Sequence, residues 1–224
     1  MGKHFTLTAA DKHQVGAYRA DPAGSAKGGM VVIQEIFGVN HHIRAVCDRL
    51  AGEGYAAVAP ALFDRTERDF ECGYGEADMA KAFTFIANPD FDAMLRDTQA
   101  AIDELNGVGP VGIIGFCLGG TVAFAASAEL SGLSAAVCYY GGFIAKMVDE
   151  KPKCPVQMHF GETDSYIPMS DVEMIRAKQP QAEVSVYQGA GHGFHCDERA
   201  SFNDPAAKLA WSRSMAFLQK HVAK

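Results

Sequence analysis

Val111-Gly112-Ile113-Ile114-Gly115-Phe116-Cys117-Leu118-Gly119-Gly120-Thr121-Val122-Ala123-Phe124-Ala125-Ala126 is the stretch on which the fold turns. Residues 111–114 are uniformly apolar rather than alternating, the pattern of a parallel strand buried on both faces. The alanine-rich run after residue 120 is helical in character. A strand that turns abruptly into a helix forces its pivot into a strained backbone and crowds the residues two places to either side, so those places call for glycine. Gly115 and Gly119 flank Cys117 at that spacing. The thiol is thereby lifted to a helix N-terminus, where orphan N–H groups and the helix dipole favour thiolate over thiol. A bare G-x-C-x-G string recurs by accident, but between a buried strand and a helix it reads as the elbow that presents a nucleophile.

Working outward, further strands are expected at 15–19, 30–34, 56–59, 135–140, 156–160 and 184–187, and helices at 43–53, 76–87, 91–106, 118–129, 171–177 and 205–222. Strand and helix alternate along the whole chain, which predicts one α/β domain over residues 1–224, a mostly parallel doubly wound sheet with helices on both faces. The runs around Val31, Val111, Val137 and Val156 are continuously apolar and belong at the centre of that sheet. Residues 64–75 have no period and are expected to be irregular, and the C-terminal stripe Leu209, Trp211, Met215, Phe217 and Leu218 is spaced to pack on the sheet. In such a fold ligands bind beyond the carboxyl ends of the strands.

Those ends hold the partners that a nucleophile needs. His192 lies in the glycine-flanked loop Ala190-Gly191-His192-Gly193-Phe194 after the 184–187 strand, and Asp164 in Gly161-Glu162-Thr163-Asp164 after the 156–160 strand, with Glu162 as the rival acid. Nucleophile, acid, histidine is the chain order that a nucleophile elbow implies. Glu35 closes the apolar run at residues 30–33, where an unpaired carboxylate would cost several kcal/mol, so it requires a hydrogen-bonding partner. The backbone N–H groups of Ile36 and Leu118 are the candidate oxyanion donors.

The 224 residues carry 27 acidic and 20 basic side chains in scattered order, net −7, which points away from nucleic acid and anionic membranes and toward a small solute. No apolar run reaches a membrane span and the N-terminus turns polar within a few residues, so a cytoplasmic location is expected. A monomer or weak homodimer is expected as well. The six cysteines form no C-x-x-C pair and read as free thiols. No metal or other cofactor is expected. Gly107-x-Gly109-x-x-Gly112 precedes a strand instead of following one, so it is not a dinucleotide turn. His192-x-x-His195-Cys196-Asp197 lacks a second ligand pair for zinc, and His41-His42 reads as a solvated turn at a helix start.

The phrases Gln34-Glu35-Ile36-Phe37-Gly38-Val39-Asn40, Gly115-Phe116-Cys117-Leu118-Gly119-Gly120, Tyr139-Tyr140-Gly141 and Ala190-Gly191-His192-Gly193-Phe194 together resemble the dienelactone hydrolases (carboxymethylenebutenolidases), from about residue 14 to 222. The resemblance implies an α/β-hydrolase fold and hydrolysis of a small activated ester or lactone through an acyl-thioester, with Cys117, His192 and Asp164 as the triad. It also implies that Glu35 contacts the thiol in the resting site until substrate disturbs that contact. Phe37, Tyr140, Phe194 and Arg68 are the expected substrate contacts. The family's two substrate-carboxylate arginines fall here on Cys196 and on the acidic stretch Glu76-Ala77-Asp78, leaving Arg65, Arg68 or Arg199 as possible replacements. From other classes, a redox-sensing thiol and a catalytically silent ligand-binding relative remain as alternatives, and a general carboxylesterase or thioesterase remains within the hydrolases.

Overall fold

A computed structural model describes residues 2–224. Eight strands form one sheet: β1 (Lys3–Thr8), β2 (Gln14–Ala20), β3 (Gly29–Ile33), β4 (Ala56–Pro60), β5 (Val111–Phe116), β6 (Leu133–Tyr139), β7 (Val156–Gly161) and β8 (Glu183–Tyr187). Their spatial order is β1-β2-β4-β3-β5-β6-β7-β8. From β4 to β8 every pairing is parallel, and β2 joins β4 antiparallel. The four continuously apolar runs are β3, β5, β6 and β7, which lie side by side in the interior as their composition requires.

Strand β1 was not expected. Lys3-His4-Phe5-Thr6-Leu7-Thr8 pairs antiparallel with β2 from Lys3–Arg19 to Thr8–Gln14, and only Leu7 of the six is buried. An edge strand solvated along most of its length shows little of the apolar signal that reveals interior strands.

Six helices cover the sheet: α1 (His41–Gly52), α2 (Glu76–Phe85), α3 (Phe91–Glu104), α4 (Leu118–Glu129), α5 (Met169–Lys178) and α6 (Asp204–His221). Asn40, Asp90 and Asn203 cap α1, α3 and α6 by accepting from Ile43, Ala93 and Ala206 backbone N–H groups. The Arg49 guanidinium of α1 stacks on Trp211 of α6 at 3.8 Å, which joins these two helices on one face. Helix α4 is buried along almost its whole length behind β5 and β6. Helix α2 is anchored lightly, with Ala82 its one buried residue.

Two expectations need correction. Leu209 in the C-terminal stripe is 48% exposed, while Trp211, Phe217 and Leu218 are buried, because two residues of helix turn Leu209 about 200° away from Trp211. His42 is not solvated: His41 is exposed and pairs with Glu198, but His42 is buried against Phe116 and His195. Among the described residues no helix is long and apolar enough to cross a membrane.

Candidate active site

The elbow forms as the glycine spacing requires. Cys117 sits between β5 and α4 at φ 56°, ψ −117°, a strained conformation for a residue with a side chain. A Cβ on Gly115 would run into the Gly119 carbonyl, and one on Gly119 into the Ile33 carbonyl, so neither position tolerates a larger residue. The Cys117 N–H donates to the Tyr139 carbonyl at 3.0 Å, tying the pivot to β6. The strain at residue 117 is held in place by β3, β5 and β6 together.

His192 Nε2 lies 3.1 Å from Cys117 Sγ, and its Nδ1 lies 2.8 Å from Asp164 Oδ2. The other Asp164 oxygen accepts from the Tyr166 and Ile167 backbone N–H groups at 2.8 and 3.2 Å, which fixes the carboxylate and hence the ring. The imidazole is flanked by Tyr140 and Tyr166, with ring centroids 5.2 and 5.0 Å away. Burial pulls the His192 imidazole toward neutrality, but the adjacent Cys117 sulfur and the Asp164 carboxylate outweigh it and push its pKa up to about 10. Glu162, the rival acid, is exposed and accepts from the Gly189 N–H instead.

Glu35 is buried at 1% exposure, but its partner differs from the expected one. Its Oε1 accepts from Arg199 Nη1 at 3.0 Å, while the thiol is engaged by His192. The expected glutamate–thiol contact is therefore replaced by a carboxylate–guanidinium pair: a buried carboxylate gains far more from a guanidinium than from a neutral thiol. The guanidinium also lies over the Phe37 and Tyr74 rings at 5.5 and 5.9 Å. Of the three arginines considered from sequence, only Arg199 reaches the site. Arg65 is held by Asp97 and Asp11, and Arg68 donates to the Gln14 carbonyl. Arg68 lines a separate groove of about 630 Å³ with His4, Gly16, Val39 and Glu71 that holds none of Cys117, His192 and Asp164, so it lies away from the cavity where it was expected.

Cys117 and His192 open into a cavity of about 330 Å³ walled by Ile36, Phe37, Met79, Phe83, Ile86, Leu118, Phe143, Lys146, Tyr166, Asp171 and Arg199. Phe37 is thus where it was expected. Tyr140 and Phe194 are not: both are fully buried behind the cavity, packed edge to face on each other at 5.4 Å. Tyr140, at φ 38°, supports the His192 ring from behind instead of meeting a ligand. As the first residue of α4, Leu118 has a backbone N–H with no carbonyl one turn earlier to bond, and Ile36 shares the same wall. Phe143, Lys146 and Tyr166 were missed from sequence; each follows the carboxyl end of β6 or β7, which was the available signal.

The His195 ring is buried and stacked between Phe116 and Trp211, where desolvation holds it neutral, so it serves as core. Beneath the site Glu35, His42 and Cys196 bring a carboxylate, an imidazole and a thiol within 4.8 Å of one another. These are zinc-ligand types, yet all three are sealed from solvent, the Cys196 thiol donates to the Tyr74 hydroxyl at 3.2 Å and Glu35 is neutralised by Arg199.

Residues 15–222 match the model of the Dienelactone hydrolase family. A Synechocystis protein named "Putative carboxymethylenebutenolidase" is 36% identical over 93% of each chain. The carboxymethylenebutenolidase of Pseudomonas putida is 32% identical over 96% of this chain and 94% of its own. A crystal structure from Klebsiella pneumoniae, "Putative Dienelactone Hydrolase", superposes with a TM-score of 0.84 at 29% identity over 99% of both chains. Match, identity and superposition agree over nearly the whole length, and the chain belongs to the dienelactone hydrolase family of α/β hydrolases.

Proposed function

We propose that this hydrolase cleaves small activated esters or lactones with Cys117 as nucleophile, His192 as proton carrier and Asp164 as the group that orients it. The observation that carries the reading is the unbroken line from Asp164 Oδ2 through His192 to Cys117 Sγ, 2.8 and 3.1 Å, ending at a strained pivot that opens into a cavity. The Cys117 thiol, 3.1 Å from His192 Nε2, passes its proton to the imidazole to give thiolate and imidazolium. The thiolate adds to the substrate carbonyl carbon, and the oxyanion formed is met by the backbone N–H groups of Leu118 and Ile36. Collapse expels the alcohol or enol oxygen, which takes the proton from His192. Neutral His192 then removes a proton from water as that water attacks the thioester, and loss of carboxylic acid restores the thiolate–imidazolium pair. Arg199 holds Glu35 beside this centre, so the carboxylate does not compete with the sulfur for the imidazolium.

A thiolate adds readily but is itself easily expelled from the tetrahedral adduct, so forward reaction requires a good leaving group such as an enolate or phenolate. Amides are poorer substrates on this ground, because the amine must be protonated before it can leave in preference to the thiolate. The same machinery opens other carboxylic esters and thioesters, which makes a general carboxylesterase or thioesterase the nearest competing reading. Replacing Cys117 by alanine is expected to abolish hydrolysis of an aryl or enol ester. Full activity in that variant refutes the mechanism.

A further inference from the structure

Helix α2 carries two apolar stripes side by side. Ala82 and Phe85 hold it to the body of the protein: Ala82 is its one buried residue, and the Phe85 ring lies against Phe63 and Phe70 at centroid distances of 4.7 and 4.2 Å. Met79, Phe83 and Ile86, the last just beyond the helix, recur at intervals of four and three on the neighbouring stripe and line the cavity into which Cys117 and His192 open. Packing against the core does not account for Phe83, which is 40% exposed.

Phe37, Phe143 and Tyr166 bring three more aromatic rings to the same wall, Tyr166 at 56% exposure and edge-on to the His192 ring at 5.0 Å. A cleft lined by aromatic side chains that remain in contact with water gains free energy when an apolar group covers them. The position of the nucleophile says what that group belongs to. A substrate that acylates Cys117 brings the rest of its own carbon skeleton to this wall, and about 330 Å³ has room for a ring-sized group beside the reacting ester.

We infer that Met79, Phe83 and Ile86 form the subsite for a hydrocarbon group of the substrate, of phenyl-ring size or larger, and that Phe83 is its specificity-determining residue. This rests on the ester-hydrolase reading above and assigns one part of its substrate. The test uses uncharged esters on the purified protein, so that Arg199 and Lys146, elsewhere in the wall, have no anionic group to discriminate. 4-Nitrophenyl acetate is compared with 4-nitrophenyl phenylacetate, and phenyl acetate with 2-naphthyl acetate, which enlarges the acyl side and the alcohol side in turn. In at least one pair the larger ester is expected to have the higher kcat/KM by about tenfold or more, mainly through KM. Phe83→Ala, a truncation at a largely solvated position, is expected to fold and to cut that advantage by about threefold or more. Leu209→Ala, at a residue of α6 that is 48% exposed and outside the cavity wall, serves as control and is expected to keep it. No advantage for the larger ester in either pair overturns the inference and leaves the hydrolase reading intact, as does an advantage that Phe83→Ala leaves unchanged or that Leu209→Ala cuts equally. A loss of dimer in Phe83→Ala on size-exclusion chromatography, with the ester advantage retained, assigns the stripe to a second copy of the chain and also overturns it. Failure to hydrolyse any of the four esters instead refutes the hydrolase reading and this inference with it.

Discussion

Breaking the Arg199–Glu35 pair is expected to cost stability in proportion to which charge is left behind. The Glu35 side chain is 1% exposed and that of Arg199 13%, so the carboxylate is the more deeply desolvated partner. Arg199→Met keeps most of the apolar stem over Phe37 and Tyr74 but strands the carboxylate, and removing one member of a buried pair costs about 3–5 kcal/mol. For a domain of this length each kcal/mol lowers Tm by about 2–4 °C, so a fall of about 6–20 °C is expected. Glu35→Gln leaves the cation at the better solvated position and costs less. The double variant Glu35→Gln/Arg199→Met contains no stranded charge and recovers most of the loss. Urea unfolding of the four proteins at pH 7 gives the double-variant cycle, with an expected coupling of about 2 kcal/mol or more. Single-variant losses below about 1 kcal/mol that simply add would refute the assignment of Glu35 and Arg199 as a closed pair.

Three further outcomes follow from the geometry. The Cys117 sulfur is the largest influence raising the His192 pKa, so Cys117→Ser, which cannot carry the charge near neutrality, is expected to bring the His192 titration down from about 10 toward the ordinary imidazole range; imidazole NMR reads this, and an unchanged titration contradicts the ion pair. The buried His159 is held neutral by desolvation, with Arg213 adding to it, its pKa lowered to about 3, and His195 is lowered as well. Because both are depressed in the folded state, the unfolded chain takes up their protons first. Stability is therefore full above pH 6.5 and falls below it by about 1.4 kcal/mol per pH unit for each histidine, a loss that His159→Gln should make visibly shallower in urea midpoints between pH 6.5 and 4.5. At the elbow, Gly119→Ala drives a methyl group into the Ile33 carbonyl and is expected to cost about 3 kcal/mol or more along with activity; a fully stable and active variant would show that the turn has room that its geometry denies.

How far the sequence foretold this molecule depends on the reach of each signal. The interior strands and the elbow announce themselves through local rules: uniform apolarity for strands covered on both faces, and glycine wherever backbone approaches backbone. The solvated edge strand β1 obeys neither rule and was missed. Cys117, His192 and Asp164 are legible because each follows a strand end on the same side of the sheet, and they meet at 3.1 and 2.8 Å. What Glu35 touches was not legible. Its partner is 164 residues away, and nothing local to either residue distinguishes Arg199 from Arg65 or Arg68, whose guanidinium groups end elsewhere. Tyr140 and Phe194 were misplaced for a related reason: a motif reports proximity to a site, but not whether a side chain faces the cavity or braces the His192 ring from behind.

The central claim is that the Cys117 sulfur becomes acylated. Rapid mixing with an activated aryl ester, acid quench and peptide mass spectrometry tests it directly. The account predicts one acyl group on the peptide containing Cys117, released on further incubation at neutral pH and absent from Cys117→Ala. Turnover of the ester with no adduct on Cys117, or an adduct on any other residue that persists in the alanine variant, would contradict it.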